Sequence, residues 1–284
     1  MATTLPGARR ASAHREARVV AWRPTLRYAA DPVQAEIAVG CDRGPLLAGR
    51  PVRGRGGYPT AVLELFQITG SASFAVRAAL EEAGADYVTI DVHPRRRDEN
   101  ADFAVVNPLR GVPSLRDGSS TVYETGAVLL YLVERLPGCG LGPLPGEPLR
   151  ADLLRWVAWL AGVFYGSFQA LRRPQSYTDD PAGHEGVNRR AREKLATHGD
   201  YLERELAGGE WCLGEVFSVA DIYLYMLKGW ENYTDGYVIG GEMLAAHYAR
   251  VGARAAIART RLLDDLDERL IRYHPELRGG KSIT

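Results

Sequence analysis

Asn107-Pro108-Leu109-Arg110-Gly111-Val112-Pro113-Ser114-Leu115, continued by Val122-Tyr123-Glu124-Thr125-Gly126-Ala127, is the most informative part of the chain. A Val-Pro step lies directly before a short apolar run, and X–Pro bonds are the ones that readily take the cis form. Ser114 to Arg116 reads as a strand, Asp117-Gly118 as a turn and Thr121 to Tyr123 as the returning strand. The acidic-hydroxyl-Gly turn at Glu124-Thr125-Gly126 then opens a helix that runs to about Arg135.

Upstream, Val62-Leu63-Glu64-Leu65-Phe66 is a short apolar run with the length of a buried strand. Gly70 to Ser73 forms a turn. Phe74 to Ala83 has helical spacing, and Gly84 stands at the left-handed position that commonly ends a helix. Tyr87 to Val92 is a second strand, followed by a polar loop (His93 to Asn100) and a short helix over 101–106. The order β-α-β-α-β-β-α is that of a thioredoxin-like α/β domain, placed at residues 60–138. In such a sheet a cis Pro113 would leave the Val112 N–H and C=O facing outward, free to pair with an extended peptide. The Glu124-Thr125 turn would offer a carboxylate for an amine, and helix N–H groups for a carboxylate. Together they describe a receptor for a small peptide with a free amino-acid end.

Downstream, residues 139–149 form a Gly/Pro-rich linker. Beyond it the period changes from strand to helix. Leu153, Trp156, Val157, Leu160, Phe164 and Phe168 make an i, i+3/i+4 stripe on one long helix. Ala191, Leu195, Leu202 and Leu206 mark another, Val219 to Trp230 is apolar nearly all round, and further helix is expected from Leu244 to about Tyr273. The expected organisation is an all-α domain over 150–275 with a short tail at 276–284.

Residues 1–59 differ in character. Their basic residues are all arginine, Gly and Pro recur, and no periodic pattern is sustained, so a disordered extension or translation from a start codon placed too far upstream is expected. Glu16, Asp31, Glu36 and Asp42 disfavour an organelle transit peptide, and no signal-peptide apolar region exists. The 284-residue chain is 46% hydrophobic and 25% charged with zero net charge, which gives no footprint for nucleic acid or an anionic membrane. No apolar run approaches the roughly 20 residues of a membrane span. Cys41, Cys139 and Cys212 are scattered without metal-ligand spacing, so no metal is expected and a reducing, cytoplasmic setting fits.

The motifs and their order resemble the cytosolic glutathione S-transferases over residues 61–275. Phe217-Ser218-Val219-Ala220-Asp221-Ile222 adds to the resemblance: Ser218 and Asp221 supply a capping box, and Phe217 and Ile222 stand at the staple positions. The resemblance implies glutathione as co-substrate, an apolar electrophilic small molecule as second substrate, and a homodimer. Val112 would pair main chain to main chain with the cysteinyl residue, next to Pro113. Glu124 and Thr125 would hold the γ-glutamyl amine and carboxylate. Where the family usually has Asn-Pro-x-Gly-x-Val-Pro, this chain has Arg110-Gly111 before Val112. The side chain that often reaches the glycyl carboxylate is therefore lost at Gly111, and Arg110 is the available substitute.

On the bacterial beta-class pattern, Ala72 stands where those enzymes carry a cysteine, and Gln67 ends the first strand where others carry a tyrosine. A mixed disulfide through Ala72 is impossible, and what remains resembles the serine-type mechanism of theta-like members. A free thiol ionises near pH 8.5, and a hydroxyl hydrogen bond with the positive end of the first helix would lower that by about one to two units. Ser73 is the first candidate donor and Ser71 the second, against the plain alternative of a serine helix cap. Tyr165 is a third, at the beta-class histidine position on the register set by Trp156, against the alternative of core packing. A glutathione-dependent isomerase, a disulfide reductase and a non-catalytic binding or regulatory protein stand as alternatives to the transferase. Arg77 is expected to make an ion pair at a dimer interface, and Cys212 to be a core thiol.

Overall fold

The computed structural model describes residues 62–92, 101–233 and 237–264; the expected extension at 1–59, the loop His93 to Asn100, the helix expected from 265 to about Tyr273 and the tail at 276–284 lie outside them. Four strands form one mixed sheet in the order β2-β1-β3-β4. β1 (Leu63–Gln67) and β2 (Tyr87–Asp91) are parallel, with Leu63 opposite Tyr87. A parallel pair needs a crossover, and α1 (Ser73–Ala83) supplies it, ending at Gly84 with φ +59°. After α2 (Ala101–Val106), β3 (Ser114–Asp117) and β4 (Ser120–Tyr123) form the antiparallel hairpin, and α3 (Thr125–Arg135) follows. The expected elements are all present, with ends displaced by a residue or so.

Alternation along β1 feeds two apolar layers. Leu63 and Leu65 join the main core with Ala75, Leu80, Leu129 and Leu132. Phe66 and Ile68 join a smaller cluster with Val92, Phe103 and Val106, in which the Phe66 and Phe103 rings stack at 5.6 Å.

Every described α-helix from residue 150 onward belongs to the helical part. The stripe from Leu153 to Phe168 is buried as expected, but the rod is not one uniform helix. It comprises α4 (Arg150–Trp159), a π-turn at Leu160–Phe164 and α5 (Tyr165–Arg172). The wide turn includes Gly162, a poor helix former, and such turns recur at functional sites. α6 (His184–Leu206), α7 (Val219–Gly229), α8 (Glu242–Gly252) and α9 (Ala255–Asp264) complete the described helices. Among the described residues, no helix is long and apolar enough to cross a membrane.

α7 is central, with Val219, Ala220, Ile222, Leu224 and Leu227 fully buried. Its start is the anticipated capping box: Ser218 Oγ accepts from Ala220 N–H, and the Asp221 carboxylate accepts from Ser218 N–H at 2.8 Å. Glu203 on α6 performs a similar service for α8, accepting from Gly241, Met243 and Leu244 N–H at 2.8–3.0 Å.

α9 lies along α1 in the opposite direction. Arg254 pairs with Glu82, Arg259 with Glu81 at 3.0 Å, and Asp264 with Arg77 at 3.1 Å. Arg77, expected at an interface between subunits, therefore has its ion pair inside the chain. Its position on the face of α1 that α9 covers is the reason.

Candidate functional site

One row of the sheet register sets the site. Phe66 at the end of β1 lies opposite Ser114 at the start of β3, and Ser114 lies opposite Tyr123 at the end of β4. The turn after β1, the Val112–Pro113 step and the Glu124-Thr125 turn consequently share one end of the sheet. Residues spread over more than fifty positions of sequence are brought together by three strands.

The turn after β1 is knit by its own serines. Ser71 Oγ lies 2.6 Å from the Ile68 carbonyl, 3.0 Å from Ser73 Oγ, and accepts from Ser73 N–H at 3.2 Å. Ser73 Oγ accepts from Ile68 N–H at 3.3 Å. The residue ahead of α1 is Ala72, which has helical dihedrals and no side-chain cap. Ser71 thus supplies the cap from one position further back. Ser73, the first candidate, is 1% exposed, with its hydroxyl turned into the turn. Ser71, the second, is half-buried and is the more accessible of the two. Gln67 is buried and donates to Asp91 Oδ1, so it braces β1 against β2.

The loop before β3 is organised by Asn107, whose importance the sequence reading missed. Its Oδ1 accepts from Leu109 N–H, an Asx turn, while its Nδ2 donates to the Gly111 carbonyl and to Ser114 Oγ. The Asn-Pro dipeptide was the available signal. Val112–Pro113 is cis. Val112 precedes the β1–β3 ladder, whose last pair is Phe66–Ser114, so its main chain is not consumed by that pairing. Arg110 is half-buried at φ +53°, one residue before a Gly111 whose missing side chain leaves ordinary van der Waals space beside Asn107.

Glu124 has φ +72° and ψ +120°, a conformation few side-chain-bearing residues adopt, and it is exposed. Local strain of this kind gathers where a side chain must be presented in one direction. Thr125 is buried behind it, at the start of α3 where that helix meets α7, which carries Tyr223. Burial pushes the Tyr223 phenol up, so it stays protonated. Tyr223 gave no sequence signal, being one aromatic in a helix apolar on all sides.

Gly126 packs directly on α4 and the π-turn, against Val157 and Ala161. Tyr165 lies one turn beyond Ala161, half-buried, while its neighbour Phe164 is fully in the core. The Tyr165 hydroxyl accepts from Gln169 Nε2 at 2.7 Å, leaving its own proton to be given elsewhere. Trp230 packs on its ring at 5.2 Å.

Cys212, Asp221 and His247 form a separate buried trio. Asp221 Oδ1 accepts from Cys212 N–H at 2.7 Å and contacts His247 Nε2 at 2.8 Å, while Oδ2 serves the capping box. Cys212 Sγ lies 4.0 Å from His247 Nε2, and burial holds the Cys212 thiol well above its ordinary range.

Residues 61–134 match the family model described as the glutathione S-transferase N-terminal domain. The chain is similar to glutathione S-transferase GstA of Escherichia coli O157:H7, with 27% identity over 198 residues that cover 69% of this chain and 95% of that protein. Among solved structures it resembles a sphingomonad glutathione S-transferase complexed with glutathione, with 33% identity, a TM-score of 0.62, and coverage of 72% of this chain and 99% of the other. BphK, a bacterial enzyme of the same kind solved as a ternary complex, gives 28% identity and a TM-score of 0.62, over 72% and 100% of the two chains.

Proposed function

We propose, from the premise that the chain belongs to the glutathione S-transferase family, that it is a glutathione transferase: it binds glutathione at the shared end of the sheet and delivers its thiolate to an apolar electrophile. The observation that carries this reading is the row Phe66–Ser114–Tyr123, which lines up the α1 turn, Val112 and Glu124. In this reading the cysteinyl main chain of glutathione pairs with Val112. Its γ-glutamyl amine meets the Glu124 carboxylate, and its α-carboxylate meets Thr125 and the first N–H groups of α3. Arg110 takes the glycyl carboxylate.

The sulfur then lies over the start of α1, where the helix dipole favours the anion. Ser71 supplies the hydroxyl donor, by turning its proton from the Ile68 carbonyl to the sulfur, and Ser73 holds Ser71 in place. The thiolate attacks the electrophilic carbon and the leaving group departs with the bonding pair, with no covalent bond to the protein. Tyr165 and Trp230 line the electrophile side, and Tyr165 can give its proton to a departing or developing anion. A cytoplasmic homodimer is part of the same proposal.

One observation favours a second reading, a binding protein without turnover. Both serine hydroxyls are already hydrogen-bonded within the turn. An ultraviolet pH titration of glutathione bound to the full chain separates the two. A thiolate midpoint about one unit or more below that of free glutathione supports the transferase. Bound glutathione with an unshifted midpoint supports the binder, and no binding removes both.

A further inference from the structure

The last described helix reaches back to the first turn of the site. Asp264, at the end of α9, is 1% exposed and lies 194 residues from Gly70 in sequence. Its Oδ2 accepts from Gly70 N–H at 3.5 Å, and its Oδ1 accepts from Arg77 Nη1 at 3.1 Å. Arg77 is itself 8% exposed and donates to Tyr87 OH at 3.4 Å, so the guanidinium is held from both ends. Gly70 has φ +75° and directly precedes Ser71.

Two features distinguish this contact from ordinary helix docking. The ion pairs Arg254–Glu82, just before α9, and Arg259–Glu81 join it to the far end of α1, beside the buried Ala256 and Ile257. Asp264 does something else: it places one carboxylate oxygen on the turn that carries the candidate thiol-activating hydroxyl. The chance of that turn swinging out is reduced by a buried acceptor whose own position is fixed by Arg77. The carboxylate would also repel a nearby thiolate were its charge not compensated at 3.1 Å by the guanidinium.

We propose that Asp264 is a positioning residue for the glutathione thiol, and that α9 is thereby coupled to occupancy of the site. The inference rests on the glutathione reading above. Coupling free energies are reciprocal, so if docked α9 favours the thiol-binding geometry of the turn, glutathione must in turn favour docked α9.

The test is hydrogen exchange on the full chain with and without saturating glutathione, for the wild type, D264A and R259A. In the wild type, glutathione should slow exchange both around 112–125 and across 255–264, the latter about fivefold or more, the lower end of common coupling strengths. D264A should keep the protection at 112–125 and lose the response at 255–264. R259A, which weakens the same docking at the other end, should keep both. If D264A fails to fold, D264N serves, because an amide can face Arg77 or Gly70 with its oxygen but not both. Protection at 112–125 with no change at 255–264 in the wild type overturns the coupling alone. Equal loss in D264A and R259A also overturns it, since that is what simple docking predicts. Absence of protection at 112–125 overturns the glutathione reading and this inference with it.

Discussion

Gly126 lies so close to Val157 that a methyl group on it would come within 3.0 Å of Val157 Cγ1. The start of α3, which carries the Glu124-Thr125 turn, is therefore seated on α4 with no space for a side chain. G126A adds helix propensity but forces the two helices apart, and overpacking of this kind costs about 1–3 kcal/mol. We expect a glutathione Kd raised by about fivefold, equivalent to ~1 kcal/mol, measured by calorimetry. V157A in the same chain should restore most of the affinity. A G126A single variant that binds like the wild type would show that the seat does not set the turn.

The two serines should separate by readout. S73A removes the acceptor for the buried Ile68 N–H, and an unpartnered buried donor costs about 1–3 kcal/mol. Its main effect should be a lowered Tm. S71A removes the group proposed to meet the sulfur, and should lower kcat/KM about tenfold, which is ~1.4 kcal/mol of transition-state stabilisation. The thiolate midpoint of bound glutathione should rise in S71A and stay near wild type in folded S73A. The reverse pattern would transfer the donor role to Ser73, and full activity in both would place thiol activation on the helix N-terminus or Tyr165.

How far the sequence could be read depended on the range of the interaction involved. Val112-Pro113, the Glu124-Thr125 turn and the Ser218–Asp221 box are local in sequence, and each announces its own conformation. The apolar periods of β1, α1 and α6 are equally local. What stayed hidden is long-range or depends on which way a side chain turns. Ser73 precedes a helix pattern as a donor or a cap would, yet its burial follows from Ile68 N–H lying above it. Arg77 on a helix face does not disclose that Asp264 will cover it. Tyr223 is one apolar-helix aromatic until α7 is brought against α3, the helix that opens at Thr125.

Asp221 is expected to be among the most sensitive positions in the helical part. Its carboxylate accepts from Ser218 N–H, Cys212 N–H and Ser218 Oγ and contacts His247 Nε2, all buried. D221A strands these groups at once and removes the cap of the central helix. Losses of buried networks and caps belong to the large class of single-site effects, at about 3 kcal/mol or more. For a domain of this size the Tm should fall by roughly 6–12 °C, at about 2–4 °C per kcal/mol, by calorimetry. A Tm within a degree or two of the wild type would remove the capping network from the account of stability.

Stability should also fall on mild acidification through His198. Its ring lies edge-on to Trp159 at 5.4 Å and near Phe164, and burial, aided by Lys194, holds its pKa below the usual 6.5. The unfolded chain therefore binds a proton at a pH where the folded chain does not. By linkage, stability rises with pH across that interval: it is complete above about pH 6.5 and is lost as the pH falls from there towards the depressed folded value. Glu203, held low by its three backbone donors against the opposing effect of burial, adds a loss of the same sign only below about pH 4.5. The two are separable because their windows differ. H198Q should flatten the Tm profile just below about pH 6.5 while leaving the steeper acid limb unchanged. An H198Q profile that still falls through that window would assign the effect to another histidine.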